Sequence, residues 1–181
     1  PRLYDSFKPS HYTLALSLNP DDMTFSGNVV ISGQKTGRPS KRLTLHQKEL
    51  RITAATLEKK GKQGSETLTF ERTNTHKRFD ELRLHSDSTL YPGAYTITVE
   101  FTGKITDHMQ GLYPCYFEHE GKKMKLLATQ FESHHAREVF PCIDEPEAKA
   151  TFDLTLITPD DGSTVLSNTP VKHASQDSSA S

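Results

Sequence analysis

Pro92-Gly93-Ala94-Tyr95-Thr96-Ile97-Thr98-Val99-Glu100-Phe101 decides the fold class. Pro92-Gly93 punctuates the chain as a turn, and Tyr95, Ile97, Val99 and Phe101 then alternate with Thr96, Thr98 and Glu100. Successive strand side chains point to opposite faces, so this period of two gathers four large apolar groups on one face. The same period recurs in both directions. Upstream, Tyr12, Leu14, Leu16 and Leu18 alternate with Thr13, Ala15 and Ser17; Phe25, Val29 and Ile31 follow, then Leu43 with Leu45, Leu50 with Ile52, Leu68 with Phe70, and Leu82 with Leu84. Downstream, Phe152, Leu154 and Leu156 alternate with Asp153, Thr155 and Ile157. Strands recurring roughly every 8 to 15 residues, with Gly and Pro between them and no long helical period, predict an all-β fold. The expected form is an antiparallel β-sandwich, saddle-shaped, with very little helix. Residues 1–172 are expected to form this single domain. The polar stretch 173–181 has no apolar anchor after Val171 and is expected to be a disordered tail.

Composition narrows the function classes. The 22 basic and 23 acidic residues leave a net charge of −1, so no whole-chain field favours nucleic acid or an anionic membrane. Only 33% of the 181 residues are hydrophobic, which implies a thin core and sheet faces left to water. No apolar run reaches the roughly 20 residues needed to cross a bilayer, and Pro1-Arg2-Leu3-Tyr4-Asp5 offers no signal-peptide h-region. Two cysteines, Cys115 and Cys142, are too few for a secreted disulfide framework, so a cytoplasmic setting is expected. A single bridge between them stays open at the sequence level. Lys59-Lys60-Gly61-Lys62-Gln63-Gly64 reads as a solvated hairpin connection.

The stretch 129–153 breaks the pattern, because polar, ionisable and backbone-restricting residues crowd together there without strand period. Pro141 and Pro146 fix φ and push Phe140 and Glu145 toward extended backbone, so a rigid, kinked connection is expected and not a helix. Gln130 and Glu132, two apart, would share one face of a continuing strand. A carboxylate beside a carboxamide suits an amine ligand through charge-assisted hydrogen bonds. A strand that merely exposes a polar face to water accounts for the same two residues. Arg137 with Asp144 or Glu145 reads as an internal ion pair. His134-His135 with Glu138 has a spacing that a metal can use on a helical turn, but no clear third ligand lies nearby, so a solvent-facing loop is the reading. His119-Glu120-Gly121-Lys122-Lys123 lacks the second histidine of H-E-x-x-H, and no G-x-S-x-G, P-loop or G-x-G-x-x-G occurs.

Thr129-Gln130-Phe131-Glu132, Ala136-Arg137, Phe140-Pro141-Cys142-Ile143-Asp144-Glu145-Pro146 and Lys149-Ala150-Thr151-Phe152 resemble the signature block of the N-terminal domain of the aminopeptidase N family of zinc metallopeptidases. Pro9-Ser10-His11-Tyr12-Thr13-Leu14, Phe25-Ser26-Gly27, Leu45-His46, Tyr91-Pro92-Gly93-Ala94-Tyr95, Phe101-Thr102-Gly103-Lys104-Ile105, Gly111-Leu112-Tyr113 and Leu166-Ser167-Asn168-Thr169-Pro170 extend the resemblance in the family's order.

The resemblance implies a saddle-like β-sandwich that covers a following thermolysin-like catalytic domain carrying H-E-x-x-H, a third zinc-ligand glutamate and a G-x-M-E-N loop. None of these occurs here, so the chain is expected to be inactive alone, with no cofactor of its own and zinc held by its parent's catalytic domain. Glu132 is implied to hold a peptide substrate's free α-amine and Gln130 to line the first side-chain subsite. Arg137, Pro141, Cys142, Asp144, Glu145 and Pro146 are implied to be the scaffold that aims them. The implied partners are the catalytic domain and peptides with a free N-terminal amine, with no nucleic acid or membrane. Ser133-His134-His135 departs from the family's usual Pro-Thr-Asp, and Glu138 stands where a second arginine is common. Two alternatives remain: a free-standing peptide- or protein-binding module, and a structural sandwich that associates through an open sheet edge.

Overall fold

The computed structural model describes residues 2–61, 64–159 and 162–176. The described residues form eleven strands: β1 Phe7–Asn19, β2 Thr24–Lys35, β3 Ser40–His46, β4 Arg51–Gly61, β5 Gly64–Leu68, β6 Phe70–His76, β7 Glu81–Leu90, β8 Gly93–Lys104, β9 Gly111–His119, β10 Lys122–Gln130 and β11 Thr151–Ile157. Helical backbone among the described residues is limited to 3-10 turns at Leu3–Asp5, Lys77–Phe79 and Ala136–Glu138. A six-stranded sheet has the order β11-β1-β2-β8-β4-β5, a three-stranded sheet the order β3-β7-β6, and β9 and β10 form a separate hairpin. The result is the all-β sandwich expected from the alternating pattern.

The pattern sets the core through register. Tyr12, Ile31, Ile97 and Leu57 line up across β1, β2, β8 and β4 as successive pairs, and all four are buried. Leu43, Leu45, Leu82 and Leu84 from the smaller sheet join them in one apolar cluster. Cross-strand contacts of this kind are the unit from which a sheet gains stability.

Two matching triplets, Phe25-Ser26-Gly27 and Phe101-Thr102-Gly103, meet head to tail across β2 and β8, so that Phe25 faces Gly103 and Phe101 faces Gly27. Each ring lies over the opposing glycine. A Cβ added at Gly27 would sit 2.4 Å from Phe101 Cζ, and one at Gly103 would sit 2.3 Å from Phe25 Cζ. Glycine is required here for space.

Three features differ from the expectation. The sheet is not wholly antiparallel, because β11 runs parallel to β1 from His11 opposite Thr151 to Ser17 opposite Ile157. Parallel neighbours need a long crossover, and here everything between the end of β1 at Asn19 and the start of β11 at Thr151 intervenes, the irregular segment 131–150 being its last part. The β9–β10 hairpin was not anticipated, because its mixed sequence lacks clean alternation. Its two-residue loop, Glu120-Gly121, has positive φ at both positions (51° and 75°), the backbone that tight hairpins favour. Finally, Phe152 and Leu154 stay 51% and 46% exposed despite their alternation, because β11 is the outermost strand and has a strand neighbour on one side only.

Residues 173–176 are irregular and exposed, and 177–181 lie outside the described residues. β4 and β5 pair up to Gly61 and Gly64, while Lys62 and Gln63 of the basic loop also lie outside the described residues. No helix among the described residues is long and apolar enough to cross a membrane.

Gly27→Ala and Gly103→Ala are each expected to lower the unfolding free energy by about 1–3 kcal/mol through overpacking, read from the urea midpoint. A midpoint equal to that of the parent sequence would show that the rings have room to move.

Candidate functional site

The site grows from the end of the β9–β10 hairpin. Gln130 is the last residue of β10 and pairs with Gly111 at the start of β9. The strand stops there, which corrects the expectation that it continues through Glu132. Phe131 leaves the sheet, turns its ring edge-on to Phe140 at 6.0 Å between centroids, and packs on the core. Glu132 therefore sits in the following turn and not two places along a strand. Its N–H donates to Gln130 Oε1 at 3.0 Å, so the carboxamide helps close the turn that presents the carboxylate. Both side chains are exposed, and the Glu132–Ser133 peptide is cis.

Behind this exposed pair lies a fastened scaffold. His135 N–H donates to Phe131 O at 3.0 Å, and the 3-10 turn Ala136–Glu138 leads into buried Phe140, Pro141 and Cys142. His46, the last residue of β3, exchanges two backbone hydrogen bonds with Cys142, at 2.7 and 3.1 Å. Its Nδ1 also accepts the Asp144 N–H at 3.0 Å. The Ile143 N–H donates to the hydroxyl of buried Tyr12 at 3.1 Å. Consecutive backbone donors, which two prolines and a kink bar from any ladder, are thus satisfied by side chains from distant strands.

Arg137 and Asp144 pair within this scaffold. Arg137 Nε donates to Asp144 Oδ2 at 2.9 Å, its backbone N–H reaches the same oxygen at 3.2 Å, and its Nη2 donates to the Asp144 carbonyl at 3.1 Å. The side chains are only 12% and 10% exposed, so neither charge can be left alone without a large desolvation cost. Glu145 turns the other way, accepting the Leu3 N–H at 2.7 Å and lying 3.3 Å from Arg2 Nε, and so holds the N-terminal segment. Pro146 is exposed in the turn closed by the Ala148 N–H on Glu145 O. A shallow cleft of about 170 Å³ beside Tyr12, Phe140, Asp144, Glu145 and Phe152 includes neither Gln130 nor Glu132.

Glu138 corrects the reading of His134-His135 and Glu138 as a solvent-facing loop, because His135 is buried against it, and it gains a second partner, Lys48, that sequence reasoning missed. Its Oε1 accepts from Lys48 Nζ at 2.9 Å and lies 3.1 Å from His135 Nδ1. Burial acts to raise this carboxyl, but the hydrogen bonds and charges of Lys48 and His135 outweigh it and hold the group below its ordinary range. Lys48 is raised in turn, chiefly by its hydrogen bond to Glu138. No local signal links Lys48 to Glu138, because 90 residues separate them.

Burial pushes the Cys142 thiol well above its usual range, which removes it as a nucleophile. Cys142 and Cys115 are both free thiols. His135 is committed to Glu138, and His134 Nδ1 lies 2.7 Å from Ser133 Oγ, so the His-His-Glu spacing forms local pairs and not a converging ligand set. No three His, Cys, Asp or Glu side chains among the described residues are placed to hold a metal.

Burial also pushes the His46 imidazole below its ordinary range, and the charge of Arg137 adds to this. The unfolded chain then takes up this proton more readily than the folded one, so the contribution to stability is present above the ordinary imidazole range and is lost as pH falls toward the depressed folded value. His46→Asn keeps an acceptor oxygen and cannot titrate; it is expected to flatten the fall in urea midpoint between about pH 7 and 5. Equal slopes in the two proteins would refute this.

Comparison with known proteins bears on the same residues. The Peptidase M1 N-terminal domain model matches residues 8–181. The chain is similar to Aminopeptidase N of Lactococcus lactis subsp. lactis, 43% identical over 171 residues, and to Aminopeptidase N of Lactobacillus delbrueckii subsp. lactis, 36% identical over 170; each match covers 93% of this chain and 18% of the relative. Glutamyl aminopeptidase of Sus scrofa is 33% identical over 175 residues, covering 94% of this chain and 18% of that protein. The chain thus spans under a fifth of the length of these relatives. A model matched over residues 8–181, from β1 onward, establishes that the chain belongs to the Peptidase M1 N-terminal domain family.

Proposed function

We propose that this chain is the substrate-cover domain of a longer zinc aminopeptidase, and that Glu132 holds the free α-ammonium of a peptide while Gln130 lines the first side-chain subsite. The observation that carries the reading is the exposed Glu132 carboxylate on a turn closed by Gln130 and backed by a buried scaffold. The backbone beneath the carboxylate is already ordered, so binding an ammonium through charge-assisted hydrogen bonds has only the side chain left to order. Three relatives carry aminopeptidase names, which supports an amine-ended peptide as the ligand. Tethering the ammonium confines hydrolysis to the bond one residue away, by position alone.

Hydrolysis itself belongs to the part of the parent that holds zinc. That part is also the proposed partner of the domain. Phe117, Met124 and Leu126 share one face of the β9–β10 hairpin with Gln130, are 44–45% exposed, and supply an apolar surface leading to the site. The proposed compartment is the cytoplasm, consistent with two free thiols.

In the full-length parent, Glu132→Gln is expected to cost about 1–3 kcal/mol of transition-state binding, roughly five- to 150-fold in kcat/KM, with zinc content unchanged. Unchanged kcat/KM would remove the anchor assignment. The 181-residue chain alone is expected to show no peptidase activity and, by calorimetry, millimolar or no binding of short peptides. Tight binding lost in Glu132→Ala would instead establish a free-standing peptide-binding module.

A further inference from the structure

We propose that Glu138 is a positioning residue, whose single carboxylate clamps the turn carrying Glu132 to the strand end carrying Gln130 and so sets how tightly a substrate ammonium is held. This rests on the reading of Glu132 and Gln130 given above.

Three separate parts of the chain converge on Glu138. Lys48, in the connection after β3, donates its ammonium to Glu138 Oε1 at 2.9 Å, and its backbone N–H donates to Arg137 O at 2.8 Å. His135, in the turn itself, lies 3.1 Å from the same oxygen through Nδ1, and its backbone N–H holds Phe131 O at 3.0 Å. Gly111 is the third. It faces Gln130 across the hairpin with φ of 66°, and a Cβ there would lie 3.1 Å from both Glu138 Cβ and Oε2. The carboxylate thus packs directly on the strand partner of Gln130 while it is bonded to the turn that presents Glu132. At 18% side-chain exposure it is shielded enough for its two bonds to hold a geometry, and 11% exposure restrains His135 likewise. Glu138 itself does not reach the presented face. It acts through the backbone on either side of the anchor, and a displacement of the anchor by a fraction of an ångström weakens a charge-assisted bond.

The test is steady-state kinetics of the full-length parent on an aminoacyl p-nitroanilide, with zinc content and thermal midpoint measured on the same preparations. Glu138→Gln, which keeps the shape and loses the charge, is expected to raise KM by about fivefold with kcat within about twofold. Glu138→Lys, which sets a second ammonium against that of Lys48, is expected to raise KM further, and Lys48→Glu/Glu138→Lys to recover most of that loss. A merely structural role would lower the folded fraction, reducing kcat at unchanged KM, and that result overturns the proposal. So does a wild-type KM in Glu138→Gln. In the Glu132→Gln background, Glu138→Gln is expected to add little, since residues acting through one contact are not additive; full additivity overturns the proposal. If Glu132→Gln alone leaves kcat/KM unchanged, the anchor reading fails and takes this inference with it. If Glu132→Gln is impaired and Glu138→Gln is not, only the positioning role falls.

Discussion

The reciprocal backbone hydrogen bonds between His46 and Cys142 are the constraint on which the rest of the site depends. They fasten a connection that cannot form a ladder of its own to the end of β3, in the smaller sheet of the sandwich. Once Cys142 is held, Ile143 and Asp144 present their N–H groups to Tyr12 and His46, and Asp144 is placed where Arg137 can reach it. Each later contact costs less conformational entropy, because the earlier ones have already ordered the backbone it needs. The dependence also runs through protonation, since His46 can accept from Asp144 only while its Nδ1 is unprotonated.

Charge is divided by depth. Arg137 and Asp144 are shielded, matched by several hydrogen bonds, and so commit the chain to one arrangement. Glu138 is intermediate, held by the Lys48 ammonium and the His135 imidazole. Glu132 lies outermost, exposed, with its backbone N–H donating to Gln130. A shielded charge without a partner is expensive, whereas an exposed one is already solvated and can exchange water for a ligand. The gradient from fastened to open charge is therefore what separates scaffold from presented group.

The sandwich serves this site by being stiff. The paired Phe-x-Gly triplets let two strands approach with their rings laid over bare backbone, and such packing leaves little room for shear. The hairpin of β9 and β10 belongs to neither sheet. It packs through Leu112 and Leu127, while Lys125 Nζ ties it to Pro20 O at 2.7 Å, so it projects Gln130 from a rigid body.

Strand existence was legible in the sequence wherever one face is buried and the other wet, as in β1, β2 and β8, because period-two patterning reports that environment directly. The β9–β10 hairpin was not, since Phe117, Met124 and Leu126 face outward on a surface that alternation does not describe. The pair Gln130 and Glu132 and an ion pair of Arg137 with Asp144 or Glu145 could be named from residue chemistry and short spacing, but the choice of Asp144 and the end of the strand at Gln130 could not, because both depend on hydrogen-bond partners that composition does not fix. By itself the sequence determined an all-β chain with an irregular, proline-braced segment rich in ionisable groups. Only the tertiary structure decided that β11 lies parallel to β1, that Tyr12 and His46 brace that segment, and that Lys48 meets Glu138. These contacts join residues about 90 to 140 apart in the chain, and no local pattern encodes a distance that depends on how every intervening strand is paired.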